Sequence, residues 1–252
     1  MNKKVYAVIP FLSIALLIVL WGVGAWALNV EFLLPSPINT FKQLIGLFAE
    51  SNFYLSVLGT TLHAILAFLS AFALAFLLAV GAYFSKIFEK LLHPLTVVMR
   101  VMPTMSVIFL SLTWLSRENS PYLVCGCVLF PILYANVLHA FNSVDKDLIT
   151  MSKLYGVTKR DMIKSLYIPS IASSLYNDCL TLLSFSVKLA ISGEAIAHSK
   201  ATVGFLLQSS KANLETGALI AYTIVAILLG FLMELIVKLI ATAIRRKRYA
   251  KA

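Results

Sequence analysis

The sequence predicts an all-α integral membrane protein on three observations: charge is scarce, apolar residues come in runs of about twenty, and Lys and Arg crowd alternate connections. Of the 252 residues, 60% are hydrophobic and 13% charged, and the mean hydropathy is +0.89. A soluble domain carries about 25% charged residues. Half that supply leaves most of the exterior without polar cover, which is tolerable where lipid is the solvent and helices satisfy their own backbone groups. The apolar runs leave no room for a soluble domain, so residues 1–252 are read as one membrane domain.

A spanning helix needs about 20 largely apolar residues, and six stretches qualify: 5–28, 54–84, 95–115, 121–141, 171–195 and 216–241. The first, behind Met1-Asn2-Lys3-Lys4, imitates a signal peptide. It is longer than the usual h-region of about 7–15 residues and lacks a clear small-x-small cleavage site, so an uncleaved first helix is expected. Pro131 is expected to kink the fourth span, because proline removes a backbone donor and clashes with the preceding turn. Between the first two spans, Leu34-Pro35-Ser36-Pro37 and the amphipathic stretch Thr40–Glu50 are expected to lie at the interface.

The net charge of +10 does not point to nucleic acid, because the basic residues sit in short connections and in the C-terminal cluster Arg245, Arg246, Lys247, Arg248 and Lys251. With the N-terminus inside, the inner segments hold Lys3, Lys4, Lys86, Lys90, Lys146, Lys153, Lys159, Arg160, Lys164 and that cluster. The outer segments hold Lys42, Arg117, Lys200 and Lys211. This asymmetry predicts six spans with both termini cytoplasmic. Cys125, Cys127 and Cys179 lack metal-site spacing and read as packing residues. No nucleophile–base constellation, metal-ligand cluster or Walker A pattern occurs, so no catalytic activity is expected in this chain.

The inner connection from Asn142 to Pro169 is rich in helix punctuation. Leu148, Met151, Leu154 and Tyr155 recur at helical spacing, so this piece is predicted to be an amphipathic helix. Gly156 is placed to end it. Thr158 can cap a second short helix, with Asp161 at the third position as in a capping box. Pro169 stops that helix or starts the next span. Two surface helices joined by a glycine turn make a rigid cytoplasmic knob.

Here the chain resembles the permease subunits of bacterial ABC importers, whose cytoplasmic motif reads E-A-A, three residues, Gly, nine residues, I-x-L-P. Gly156, Leu166, Ile168 and Pro169 fall in register, and Thr150-Met151-Ser152 stands in place of E-A-A. Leu34-Pro35-Ser36-Pro37, Arg100-Val101-Met102-Pro103, Phe130-Pro131-Ile132-Leu133, Asn142-Ser143-Val144-Asp145, Gly193-Glu194-Ala195-Ile196 and Val203-Gly204-Phe205-Leu206 resemble, in order, segments of the sulfonate, taurine, nitrate and thiamine-precursor permeases. Trp114-Leu115 stands where those proteins have W-F-G. The likeness covers roughly residues 33 to 210.

The resemblance implies a six-span permease fold whose knob is the coupling helix docked on a separate ABC ATPase. ATP and Mg are bound by that partner, and no cofactor is expected in this chain. The coupling residues are then Asp147, Thr150, Met151, Ser152, Leu154, Tyr155, Gly156, Val157, Lys159 and Arg160. A second copy, most simply a homodimer, completes the channel in the bacterial inner membrane, surrounded by lipid. An extracytoplasmic substrate-binding protein delivers a small polar solute, of the sulfonate, nitrate or vitamin-precursor kind, to the face formed by 29–52 and 196–215.

Ionisable residues in spans are costly and are functional candidates. His63, Asp178, Lys188 and Glu234 lie within apolar runs, with Arg100 and Glu194 nearer the ends. Arg100, Pro103, Asp178, Lys188 and Glu194 are the translocation-pathway candidates. Asp178 and Lys188 are about 15 Å apart by helical rise, too far to pair. Lys188 suits an anionic solute group; the competing reading is a cation neutralised by Glu194, Glu234 or a carbonyl, or one that snorkels outward. Glu194 reads as an external gate or a helix-end residue, and Glu234 as structural. Phe68, Phe72 and Phe76, four apart, read as packing or lipid contact, and Ser70, Ala71, Ala75, Ala79 and Gly81 as small residues permitting close helix approach. An ion-coupled secondary transporter would show internal repeats and broken midplane helices, and no convincing repeat is seen. A non-transporting membrane scaffold is the other alternative.

Overall fold

The computed structural model describes residues 3–249, and among them every regular element is helical. In order these are α1 (Lys3–Leu28), α2 (Pro37–Leu47), α3 (Ser51–Phe84), α4 (Lys86–Val101), α5 (Thr104–Trp114), α6 (Ser120–Asn142), α7 (Lys146–Leu154), α8 (Lys159–Met162), a π-turn (Ile163–Tyr167), α9 (Ile168–Ala197), α10 (Val203–Ala212) and α11 (Thr216–Tyr249). Of the expected C-terminal basic cluster, Lys251 and the side chains of Arg245, Arg246, Lys247 and Arg248 lie outside the described residues, as do the side chains of Lys3 and Lys4.

Among the described residues, four helices are long and apolar enough to cross a membrane: α3, α6, the continuous run Lys159–Ala197 and α11. They contain the expected spans 54–84, 121–141, 171–195 and 216–241. The expected single span 95–115 is corrected. It is a pair of helices, α4 and α5, meeting at 101°, and counted together they make a fifth candidate. The break has a local cause: Pro103 has no N–H to continue the helix and disfavours helical ψ at the residue before it. Met102 accordingly sits at ψ 127°. Apolar periodicity carries no sign of this break. In α1 the apolar stretch is Leu12–Leu28. It is tied to the segment before α2 by Trp21, whose Nε1–H donates to the Pro35 carbonyl at 3.1 Å.

The core lies where α3, α6 and α9 meet. Ala64, Ala67, Ala71, Ala75, Ala79 and Ala82 make a buried stripe along α3, and such small residues allow the close backbone approach that drives helix association in lipid. Leu129, Leu133 and Val137 from α6 and Val187 and Ala190 from α9 complete it. Phe68 stacks on Phe72, Phe72 on Phe76, and Phe76 packs against Phe141, with centroids 6.0, 6.1 and 5.9 Å apart. Ser70, by contrast, is exposed. α6 passes through Pro131 as one helix. A smaller cluster joins Leu44 and Leu47 of α2 and Phe53 of α3 to Ala221, Tyr222 and Val225 of α11.

The expected knob of two surface helices is also corrected. Only α7 stands free. The second helix, α8, continues through the π-turn into α9, so Lys159–Ala197 forms one 39-residue run. Pro169 therefore does not stop α8: it lies inside this run, in the first turn of α9. Its ring cannot sit against the carbonyl four residues back in a regular helix, and the wider π-turn just before it relieves that conflict. The Ile168 amide donates to the Ile163 carbonyl, five residues back.

Candidate functional site

α7 and the turn after it are built from three caps. Asp145 accepts from the amides of Asp147 and Leu148, at 2.8 and 3.4 Å, which satisfies the start of α7. Gly156, at φ 68°, occupies the left-handed conformation that ends it. The Val157 amide then donates to Ser152 O at 3.0 Å and the Gly156 amide to Lys153 O at 3.1 Å, the paired bonds of a Schellman motif. Thr158 Oγ1 accepts from the Asp161 amide at 3.2 Å and donates to its carboxylate at 2.6 Å.

No side chain of α7 is fully buried. Leu154 is 82% and Tyr155 78% exposed, with Met151 and Val157 beside them in sequence and also exposed. Thr150 and Ser152 turn their hydroxyls back onto the carbonyls of Lys146 and Leu148, at 2.9 and 2.8 Å. The apolar side chains are thus what this turn offers outward, with exposed Asp147, Lys159 and Arg160 around them.

A second surface runs along α9. Ser173, Asn177, Thr181, Ser184, Lys188 and Ser192 recur at spacings of three and four, which places them on one face of the helix. None of the six is buried. Lys188, Ser184 and Ser192 line a groove of about 410 Å³ between α9 and α11, with Thr223 and Glu234 opposite. The Lys188 ammonium lies 5.8 Å from the Phe185 ring centroid, and the ion pairs among the described residues do not include it. Glu234 is paired with Lys238 at 2.5 Å. Asp178 is half-buried, more than two turns away from Lys188.

Glu194 occupies a different environment. It is fully buried. One carboxylate oxygen accepts from Thr60 Oγ1 at 2.7 Å and from the Gly204 amide at 3.2 Å, while the other meets His63 Nδ1 at 2.8 Å. Thr60 Oγ1 in turn accepts from the Val203 amide at 2.9 Å, and the Tyr122 ring stands edge-on to His63 at 4.7 Å. A Cβ added to Gly204 would sit 2.5 Å from Glu194 Cβ and from Ile191 O, so only glycine lets α10 approach α9 this closely. The cluster ties α3, α9 and α10 together just before α9 ends at His198, at φ 53°. Arg100 donates to the Pro131 carbonyl at 3.4 Å, linking the break at Pro103 to α6. Sequence reasoning finds His63 and Glu194 separately and misses Thr60 and Gly204 as their partners.

Residues 71–246 match the family described as binding-protein-dependent transport system inner membrane component. The chain is 27% identical over 205 residues to the formylaminopyrimidine transport permease protein ThiX of Halalkalibacterium halodurans, covering 79% of this chain and 78% of that one. It is 26% identical over 239 residues to the putative aliphatic sulfonates transport permease protein SsuC of Bacillus subtilis, covering 92% and 83%. The taurine transport system permease protein TauC of Escherichia coli is 21% identical over 226 residues, covering 87% and 82%. Among solved structures, the inward-facing MetNI methionine ABC transporter superposes with a TM-score of 0.58 at 14% identity, over 73% of this chain and 93% of that one. That likeness speaks to the fold.

Proposed function

Given that the chain belongs to the family of binding-protein-dependent transport inner membrane components, we propose that it is the permease subunit of an ATP-driven importer and that α7 is its docking element for a separate ATPase. The observation that carries this reading is the exposed apolar end of α7, Leu154 and Tyr155, held on a turn capped at both sides. Apolar side chains at a water-facing turn gain by burial against a partner, at roughly 25 cal/mol per Å². ATP and Mg belong to that partner.

In this reading α1 crosses the membrane as a sixth span, both termini and α7 are cytoplasmic, and a second copy faces the polar stripe of α9. The stripe supports a pathway role through Lys188, because an ammonium on an intramembrane helix has no favourable contact with lipid. The hydroxyls of Thr181, Ser184 and Ser192, by contrast, are already bonded to the carbonyls of Asn177, Gly230 and Lys188. Lys188 takes the charged end of the solute. Arg100, Pro103 and Asp178 belong to the pathway through the broken span and the lower part of α9, and Glu194 acts on it by holding the outer end of α9 in place. A binding protein delivers the solute to the face around 29–52 and 196–215. The names of the relatives support a small polar solute of the sulfonate or vitamin-precursor kind.

The test is a pull-down from native membranes in mild detergent, with Gly156→Asp and Arg160→Glu beside the wild type. The expected result is recovery of a Walker-motif ATPase with the wild type and its loss from both variants. Well-folded wild-type protein that brings down no ATPase would overturn the coupling assignment and favour a secondary transporter or a scaffold.

A further inference from the structure

A second cavity, of about 780 Å³, lies between α7 and the ends of the spans it joins. Its walls are apolar: Phe76 from α3, Phe141 from α6, and Ile171 and Leu175 from α9. Its volume falls within the range of about 300–1,000 Å³ typical of small-molecule sites. Charge enters its lining only as Lys153 and Lys159, one from each side of the Gly156 turn, and among the described residues no carboxylate lines it. Both lysines are exposed, so they stand where the cavity meets solvent. Tyr83 and Tyr167, also in the wall, bring their hydroxyls to 3.3 Å of each other.

We propose that this cavity holds one acyl chain of an anionic phospholipid from the leaflet on the α7 side, with Lys153 and Lys159 taking its phosphate. An apolar chamber with a purely cationic rim matches the two halves of such a lipid, and basic pockets between spanning helices are suited to anionic headgroups. An acyl chain that leaves the bilayer for this chamber gains little hydrophobic free energy, because lipid tails are as apolar as its wall. The selectivity for the bound lipid therefore comes from the two lysines, while the chain fills a space an isolated phosphate leaves open. The site also underlies α7, which has no fully buried side chain of its own and reaches inward through the half-buried Ile149. Bound lipid therefore supports the docking turn from beneath. The inference takes from the permease reading the side of the membrane and the docking role of α7.

The experiment uses the full chain purified in detergent and incubated with phosphatidylglycerol, phosphatidylcholine or inorganic phosphate, read by native mass spectrometry and thermal unfolding. Phosphatidylglycerol is expected to be retained about tenfold over phosphatidylcholine and to raise the unfolding midpoint, because each lysine favours an anionic headgroup severalfold. Lys153→Gln with Lys159→Gln removes the preference, Lys153→Arg with Lys159→Arg keeps it, and Ala172→Trp, which fills the chamber, abolishes retention. Equal retention of the two lipids by wild type, an equal midpoint shift with inorganic phosphate, or a preference unchanged in the double Gln variant would each overturn the proposal. So would disulfide formation between two copies of Ala172→Cys, because the face would then be covered by protein. ATPase recovery in the pull-down with no lipid preference here would sink the lipid site alone and leave the permease reading standing.

Discussion

His63 Nδ1 and Glu194 Oε1 meet at 2.8 Å across 131 positions of sequence, with the carboxylate fully buried and the imidazole nearly so. Two ionisable side chains on different spans, each unfavourable alone in an apolar interior, are placed to satisfy one another. Removing one partner of a buried pair leaves the other uncompensated, typically at about 3–5 kcal/mol. Glu194→Ala, which also strips the acceptor from Thr60 and the Gly204 amide, is expected to lower the unfolding midpoint in detergent sharply. Glu194→Gln, which keeps an acceptor, is expected to cost less. Equal midpoints for Glu194→Ala and wild type would show that the cluster does not hold the helices together.

Gly204 makes the same contact from the other side. Gly204→Ala must push α10 away from Glu194 Cβ and Ile191 O, and overpacking of this kind costs about 1–3 kcal/mol. Gly126 on α6, where nothing lies within 4 Å of the added carbon, is the control. Thermal unfolding of the two variants is expected to separate them, with Gly126→Ala near wild type.

Gly156, whose surroundings are as open as those of Gly126, differs from both in its demanding φ of 68°. Left-handed backbone costs an L-residue about 1–2 kcal/mol, and Asn tolerates it better than Ala. The expected order of ATPase recovery is wild type, then Gly156→Asn, then Gly156→Ala, with unchanged oligomeric state by size exclusion. Full recovery with Gly156→Ala would mean that the turn geometry does not matter for docking.

Lys188 is exposed on the stripe and takes part in none of the ion pairs among the described residues. Lys188→Gln is expected to leave the stability within about 0.5 kcal/mol of wild type, as surface changes generally do, and so to leave the unfolding midpoint close to wild type. Solute uptake by proteoliposomes that contain the assembled transporter is expected to fall at least severalfold. A stable variant with wild-type uptake would remove Lys188 from the pathway.

Four of the spans and the punctuation of the α7 turn are legible in the sequence because both are local. Apolar run length sets the first. The left-handed demand at Gly156 and the side-chain cap at Thr158 are read within a few residues. The break at Pro103 is visible as a proline but not as a 101° bend, because the residues on both sides stay apolar. The continuity of α8 with α9 is hidden for a similar reason: Pro169 ordinarily marks a helix start, and the π-turn that carries the chain past it has no distinctive composition. The Glu194 cluster joins residues more than 130 positions apart, and a single sequence gives no signal for such pairs beyond the cost of leaving each one alone.

The run Lys159–Ala197 has a mechanical consequence. Its 39 residues extend about 58 Å at 1.5 Å per residue, well beyond the hydrocarbon thickness of about 30 Å. The excess length leaves the end beside the Gly156 turn room to project past the hydrocarbon as a handle, while the other end is seated in the Glu194 cluster as in a bearing. Under the proposed importer reading, a displacement of the Gly156 turn is expected to be passed along this run toward Lys188, because both lie on it or beside its end. The π-turn, stitched to α3 by Tyr83 and Tyr167, stands between the handle and the stripe and sets how much of that displacement passes on.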